Sequence, residues 1–239
     1  TATWARATAV AAAQLGHRVL TTNLVADGFD PVERAAHYEA PPEPFDALKA
    51  QEQADPLPPD AAAEVAKLRA ADLVILHFPI WWFAPPAILK GWCERCLPHG
   101  HLHDVDRRFD TGLGRGKRVL FCVTTGSRAS ESGPDGKEGD TRLLLWPLAY
   151  TFRYCGMTVL IPELVHGVHG YHRGARRDAL QAQLSRVLAR QGDLLAALDR
   201  RPALPFNADA DFDPEGRLRP GARSVTPFIS HGPGGSAPS

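Results

Sequence analysis

Apolar residues in this chain occur in short continuous runs separated by longer stretches with helical spacing. The continuous runs predict buried strands at 18–24, 73–78, 118–124 and 157–165. The intervening stretches predict helices at 2–15, 59–70, 85–97, 139–155 and 173–198. Because the strands alternate with helices and are apolar along most of their length, we expect a parallel sheet covered by helices on both faces.

Two stretches lack this regular pattern. Residues 26–58 are rich in Pro, Asp and Glu and predict a long excursion over the surface. Residues 199–239 are rich in Pro, Gly and Asp and cannot form a core, so we expect a tail that wraps the surface or a partner subunit. The chain is therefore interpreted as one α/β domain at 1–198 followed by an irregular C-terminal tail at 199–239.

Composition narrows the class of protein. The 27 basic and 27 acidic side chains give a formal charge of zero, which indicates neither a nucleic-acid partner nor a membrane surface. No apolar run reaches the roughly 18 residues of a membrane span. Four cysteines do not make a disulfide framework, and Cys93 and Cys96 are interpreted as small core residues of a helix. These features are typical of a protein of the reducing cytoplasm.

The most informative segment follows the predicted strand 73–78. There, Pro79, Ile80, Trp81, Trp82 and Phe83 stand in succession at the carboxyl end of a strand. In open α/β sheets this edge is where ligands bind. Adjacent large aromatic side chains are poorly placed for ordinary core packing there. They predict a flat aromatic ligand, and a flavin is the first candidate.

Three blocks of sequence resemble the NAD(P)H quinone dehydrogenase family, the flavodoxin-like flavoenzymes that include DT-diaphorase and the modulator of drug activity B. They are 72–95, the group T-T-G-S at 124–127 with G-K-E-G-D at 136–140 and L-L-W-P-L at 144–148, and R-Y-C-G-M-T-V-L at 153–160. The resemblance implies a doubly wound parallel sheet with strand order 2-1-3-4-5. It also implies an FAD cofactor, with FMN as the other possibility, NADH or NADPH as hydride donor, a quinone-like acceptor and a homodimer.

The same resemblance assigns site residues. It places Pro79, Ile80, Trp82 and Phe83 along the flavin ring, with Trp81 at a position where the family varies. The second flavin loop is implied to consist of four residues whose backbone N–H groups hold the pyrimidine edge, namely Thr124, Thr125, Gly126 and Ser127. Arg176 matches an arginine near the dinucleotide end of the cofactor. Taken alone, T-T-G-S predicts only a turn, and Arg176 only a solvent-facing side chain.

The chain departs from the family pattern at the positions of its catalytic Tyr and His, which are matched by Ser132 and Glu138. The catalytic residues are therefore unassigned, with Ser132, Glu138 and His103 as candidates. The resemblance places the loop that carries His99, His101 and His103 over the flavin of the neighbouring subunit. We expect no metal, because the alternating histidines need an extended strand and no other ligand is evident.

A second departure concerns the beginning of the sequence. Family members start with an apolar strand and a loop that binds the cofactor phosphates, whereas Thr1 already lies within the predicted first helix. The missing strand is the central one in the order 2-1-3-4-5. We therefore expect the natural polypeptide to extend upstream by roughly 15–20 residues, the length of one strand and loop.

The sequence supports three functions in descending order. The first is a flavin-dependent NAD(P)H:quinone oxidoreductase that transfers two electrons by ping-pong kinetics. The alternative is a flavin-binding regulatory or ancillary subunit of a potassium efflux system with weak catalysis, which the changes at Ser132 and Glu138 favour. A one-electron carrier ranks last, because such carriers usually have a strongly acidic surface.

Overall fold

A computed structural model describes residues 1–232 as alternating helices and strands. The helices are α1 (Ala2–Gln14), α2 (Ala47–Gln53), α3 (Pro59–Ala70), α4 (Ala87–Cys96), α5 (Thr141–Leu144), α6 (Trp146–Tyr154), α7 (Ala175–Ala189) and α8 (Gln191–Ala196). The strands are β1 (Leu73–Pro79), β2 (Arg118–Thr124), β3 (Thr158–Val159) and β4 (Glu163–Val165). Among residues 1–232, no helix has the length and apolar character needed to cross a bilayer.

The four strands form one parallel sheet with β2 at its centre. β1 pairs with β2 along its whole length, so that Leu73 lies opposite Arg118 and Pro79 lies opposite Thr124. On the other side, β2 pairs first with β3 and then with β4. The predicted parallel sheet is confirmed.

The side chains of β2 divide between two cores. Val119, Phe121 and Val123 pack in a cluster with apolar residues of α3, α4 and α6. Leu120 and Cys122 pack in a second cluster with apolar residues of α1, α7 and α8. All five side chains are fully buried, which explains why β2 is apolar at each of the positions 119–123 rather than at alternate ones.

One predicted strand is wrong. Residues 18–24 form no strand, and most of their side chains are exposed. A strand forms only where a neighbouring strand accepts and donates its backbone hydrogen bonds, and none of the described strands lies beside this segment. Instead, the Lys67 ammonium donates to the backbone oxygen of Thr21 at 3.3 Å and to the Thr22 hydroxyl at 2.7 Å.

Three other predicted elements are interrupted. The helix predicted at 139–155 divides into α5 and α6, and Pro147, which has no N–H, lies in the first turn of α6. The strand predicted at 157–165 divides into β3 and β4 around Pro162. The helix predicted at 173–198 divides at Arg190, whose ψ of 12° departs from helical geometry.

The described part of the tail packs on its own chain. Ala203 pairs with Leu160 in an antiparallel bridge, and the Leu204 N–H donates to the Val159 oxygen at 2.8 Å. Further along, the Phe228 ring stacks on Trp146 with the ring centroids 4.4 Å apart. The predicted tail thus covers one edge of the sheet, while its residues 233–239 lie outside the described part of the chain.

The excursion at 26–58 is attached to α3 and α4 by a buried arginine. The Arg95 guanidinium is bidentate to the Asp60 carboxylate at 2.5 and 2.9 Å and donates to the Asp30 backbone oxygen at 2.8 Å. One turn earlier on α4, Gly91 lets the backbone of Pro31 approach closely, since a Cβ at Gly91 would lie 2.0 Å from the Pro31 oxygen. Glycine is therefore required at this point of α4.

We predict that Gly91→Ala destabilises the fold. The added methyl group meets backbone rather than a movable side chain, so the cost should be about 1–3 kcal/mol, as for other overpacked sites. Gly192→Ala is the matched control, because a Cβ there meets nothing within 4 Å and alanine is the better helix former. Urea unfolding of both variants measures the difference, and equal stabilities of Gly91→Ala and wild type would contradict this interpretation.

His77 is a half-buried titratable group at the end of β1. Its ring packs edge-on against Trp4 with the centroids 5.3 Å apart. Its Nδ1 atom is buried and forms no hydrogen bond with the described residues. Burial disfavours the charged imidazolium and lowers the pKa of His77 to about 4.

This shift predicts an acid-sensitive fold. The unfolded chain binds a proton at His77 near pH 6.5 and the folded chain only near pH 4, so the contribution is present above about pH 6.5 and is lost as the pH falls. Between pH 7 and pH 4, the wild type should lose about 3 kcal/mol more than His77→Gln does. Urea unfolding at several pH values tests this, and parallel pH profiles of the two proteins would refute it.

Candidate functional site

Two of the predicted segments meet at the carboxyl edge of the sheet. The register places Pro79, the last residue of β1, opposite Thr124, the last residue of β2. Just beyond, the Ile80 N–H donates to the Thr124 oxygen at 2.8 Å. The loop that follows β1 and the loop that follows β2 therefore leave the sheet side by side.

The first loop is a tight turn of exposed aromatic residues. Trp81 and Ala84 exchange two backbone hydrogen bonds of 2.9 and 3.1 Å across it. Its central residues, Trp82 and Phe83, have φ of 48° and 62°, a conformation that usually needs Gly or Asn. The side chains of Trp81, Trp82 and Phe83 are 64%, 93% and 53% exposed. A strained turn that presents three aromatic groups to solvent is typical of a binding site.

The second loop turns its backbone donors outward. Thr124 and Thr125 are buried, and the Thr125 N–H donates to the Val165 oxygen at 3.0 Å. The N–H groups of Gly126 and Ser127 form no hydrogen bond within residues 1–232. A Cβ on Gly126 would meet nothing within 4 Å, so the space above this residue is open. This turn has two free donors beside an open surface.

The hydroxyl groups of Thr125, Ser127 and Ser132 hold the 124–127 turn in place on its buried side. The Ser127 and Ser132 hydroxyls lie 2.7 Å apart, and Ser132 also donates to the Arg128 backbone oxygen at 2.8 Å. The Thr125 hydroxyl lies 3.1 Å from Nδ1 of His166. Ser132 is buried at 6% exposure, so it stands behind the turn rather than on the open side.

His166 was not among the sequence-predicted candidates. It follows β4 directly, at the same edge of the sheet as Pro79 and Thr124. The sequence does contain a signal for it: His166 is a polar residue directly after the predicted strand 157–165, and residues in that position lie at the ligand-binding edge of the sheet. Burial lowers the pKa of His166 below its ordinary value.

The remaining candidates lie apart from this cluster or make few contacts. Glu138 donates its backbone N–H to the Glu131 oxygen at 2.9 Å, and its carboxylate has no partner within the described chain. Arg176 is exposed in the first turn of α7 and forms no hydrogen bond or ion pair with residues 1–232. The structure brings neither of them into contact with the two loops.

His103 lies at the opposite edge of the sheet. α4 and α6 run back from the carboxyl edge, and His103 packs between their far ends, with its ring 5.0 Å from that of Tyr154 and its Nε2 3.1 Å from the Leu97 oxygen. Burial lowers the pKa of His103. Within one chain, therefore, His103 cannot touch a ligand on the two loops.

The cysteines offer no accessible nucleophile for covalent chemistry. All four cysteines are buried as free thiols, and burial raises the pKa of both Cys93 and Cys155 to about 12. Residues 1–232 also contain no group of three side chains suited to hold a metal ion. The site provides exposed aromatic faces and two backbone donors beside open space. This combination fits a flat ring with an acceptor-rich edge, as in a flavin.

We predict that Trp82→Asn stabilises the fold by about 1 kcal/mol, because asparagine tolerates positive φ and an almost fully exposed indole has little burial to lose. Trp81→Asn is the control, since Trp81 is exposed but has no positive φ. Thermal unfolding of the two variants distinguishes them. An equal or lower stability of Trp82→Asn relative to wild type would show that the turn is not strained.

Comparison with known proteins identifies relatives. Residues 1–190 match the model of a family described as having the flavodoxin-like fold. The chain is 41% identical over 132 residues to NAD(P)H dehydrogenase (quinone) 1 of Rattus norvegicus, covering 55% of this chain and 48% of that protein. It is 46% identical over 106 residues to ribosyldihydronicotinamide dehydrogenase (quinone) of Homo sapiens, covering 44% of this chain and 46% of that protein.

The chain spans about half the length of the curated relatives it matches. A solved structure extends the likeness further. A Klebsiella pneumoniae protein assigned as a quinone reductase is 28% identical, with a TM-score of 0.77 over 91% of this chain and 87% of that one. Since the family model covers most of its residues, the chain belongs to this family with the flavodoxin-like fold, and the relatives it matches are named as NAD(P)H quinone dehydrogenases and quinone reductases.

Proposed function

We propose that this protein is a flavin-dependent NAD(P)H:quinone oxidoreductase. The observation that carries this proposal is the juxtaposition of the aromatic turn 81–84 with the outward-facing donors of the 124–127 turn. One loop supplies an apolar face for a planar ring, and the other supplies hydrogen-bond donors for its polar edge. The names of the relatives support the same reaction.

Each group at the site has a role in this proposal. Trp82 and Phe83 cover one face of the flavin ring, with Pro79, Ile80 and Trp81 beside them. The N–H groups of Gly126 and Ser127 bind the pyrimidine edge, while buried Thr124 and Thr125 hold the turn in place. When bound, the flavin supplies the hydride chemistry, for which this site has no side chain of its own.

The cofactor is proposed to be FAD rather than FMN. Arg176 has no partner within residues 1–232, and an exposed arginine at the start of α7 is available to the phosphates or the adenine end of a dinucleotide. FMN has a single phosphate and no adenine end, so it offers this arginine less to bind. Comparison of FAD and FMN affinities for the wild type and Arg176→Gln separates the two cofactors.

We further propose that NAD(P)H and a quinone-like acceptor occupy the same open surface in turn, which produces ping-pong kinetics. A homodimer would bring the loop that carries His103, remote from the site of its own chain, to the site of a second copy. The flavin-binding domain is proposed to be 1–198, with 199–239 as a tail. Four buried free thiols suit the reducing cytoplasm.

We predict that purified, FAD-loaded protein is bleached by NADH or NADPH and regains its colour with a benzoquinone. The Trp82→Asn variant should bind FAD about tenfold more weakly, because one aromatic contact of about 1.4 kcal/mol is lost. Phe45→Ala, which removes an aromatic residue 37% exposed in the 26–58 excursion, should leave FAD affinity unchanged. Stopped-flow absorbance and flavin fluorescence measure the two quantities.

Two results would contradict these predictions. Absence of bleaching in flavin-loaded protein would exclude the oxidoreductase function. Equal FAD affinity in the wild type and the Trp82→Asn variant would show that the ring does not lie against the aromatic turn.

A further inference from the structure

The loop that follows β4 is joined to the 124–127 turn by its backbone. The Gly167 N–H donates to the Ser127 oxygen and the Val168 N–H donates to the Thr125 oxygen, both at 2.8 Å. These bonds hold the His166 ring against the Thr125 hydroxyl, with 3.1 Å between Nδ1 and Oγ1. The contact therefore belongs to the ordered backbone of the site and not to a freely rotating surface side chain.

The Thr125 hydroxyl has one proton and two acceptors within reach. The Ser127 backbone oxygen lies 3.1 Å from Thr125 Oγ1, the same distance as Nδ1 of His166. While Nδ1 carries no proton, it is a second acceptor for the Thr125 hydroxyl beside the Ser127 oxygen. Once Nδ1 is protonated, it becomes a donor to Thr125, and the Thr125 proton must turn to the Ser127 oxygen.

Two more hydroxyls lie beside this contact and hold Ser127 in place. Ser127 Oγ lies 3.2 Å from Thr125 Oγ1 and 2.7 Å from Ser132 Oγ. Ser132 in turn donates to the Arg128 oxygen at 2.8 Å. A change at His166 thus alters the hydrogen bonding of the residue whose free N–H faces the open surface.

We propose that His166 is a positioning residue of this site, whose Nδ1 proton sets the direction of the Thr125 hydroxyl and thereby the hydrogen bonding of Ser127 and of the 124–127 turn. The flavin as ligand rests on the function proposed above. The coupling itself is a property of the chain. His166 can take up a proton from solvent when negative charge accumulates beside Gly126 and Ser127.

The surroundings of His166 favour this role. Within residues 1–232, no carboxylate hydrogen-bonds to its ring, and its backbone oxygen accepts from the Gln183 amide at 3.4 Å. Arg186 of α7 lines a hollow with Leu164 and Val165, and Arg128 and Glu131 follow the 124–127 turn, but burial alone shifts the pKa of His166. His169 and His172 of the same loop stack on each other, with their ring centroids 3.8 Å apart. Burial lowers the pKa of His166 below its ordinary value, so the imidazole is neutral at pH 7 and takes up a proton only at lower pH or beside negative charge.

The first test needs no cofactor. The amide NMR shifts of Gly126 and Ser127 are followed between pH 5.5 and pH 8, together with the imidazole signals of His166. In the wild type, the amides should shift with the midpoint of His166. In Thr125→Val the imidazole should still titrate while the amides stay unchanged, because the hydroxyl link is missing. His169→Asn, which removes a neighbouring histidine, should retain the wild-type response.

The second test uses FAD affinity as the readout. Protonation of His166 places a positive charge behind the 124–127 turn, whose donors bind the acceptor edge of the flavin. The FAD affinity of the wild type should therefore rise about fivefold from pH 8 to pH 5.5, which corresponds to about one hydrogen bond. His166→Asn keeps an acceptor near Nδ1 but cannot titrate. It should bind FAD as the wild type does at pH 8 and show no pH dependence. His166→Leu, with no acceptor, should bind more weakly at every pH.

This proposal would be overturned if the amide shifts of Gly126 and Ser127 did not change as His166 titrates. It would also be overturned if the FAD affinity of His166→Asn depended on pH as that of the wild type does. If no variant binds FAD, the proposed function fails, and the NMR measurement still decides whether His166 controls the turn.

Discussion

The parallel pairing of β1 with β2 determines the geometry of the candidate site, because both loops start where these strands end. A shift of one residue in this register would move Pro79 away from Thr124 and reverse the faces of every side chain in one strand. Such a shift is strongly disfavoured, since β2 is buried on both faces and each side chain at 119–123 fits one of two separate cores. The packing of the interior thus defines the relative position of two loops that lie outside it.

The carboxyl edge itself combines rigidity with exposure. Behind the edge, backbone bonds join the ends of β1, β2 and β4, and hydroxyls of Thr125, Ser127 and Ser132 fill the space between them. In front of it, Trp82 and Phe83 adopt positive φ at a cost of about 1 kcal/mol each and remain largely in solvent. Strain of this kind persists where surrounding contacts impose it, and it commonly marks sites that bind ligands.

Ser132, at which the sequence departs from the family pattern, and His166, which the sequence did not predict, both have a structural role at this edge. Ser132 lies behind the turn and supports Ser127, so it is a part of the scaffold of the site. His166 occupies the end of β4, where a third strand brings a titratable group to the same edge. The chemistry available to the protein chain at this edge is therefore proton and hydrogen-bond chemistry, which complements a bound redox cofactor.

Local sequence patterns were sufficient for much of the fold. Continuous apolar runs identified β1 and β2, helical spacing identified α1, α3 and α4, and the aromatic and T-T-G-S segments named the residues of both loops. These features are readable because a few neighbouring residues determine them. The segment 18–24 shows the limit, since an apolar run becomes a strand only beside another strand, and no described strand lies next to it.

Only the tertiary structure decided which distant residues meet. It brought His166 to Thr125 across 41 residues of sequence, and it placed His103 at the opposite edge of the sheet. It also showed that Gly126 and Ser127 keep free donors while Ser132 is buried. Hydrogen-bond partners and burial depend on how the strands and helices pack, and packing is a property of the whole chain rather than of any one segment.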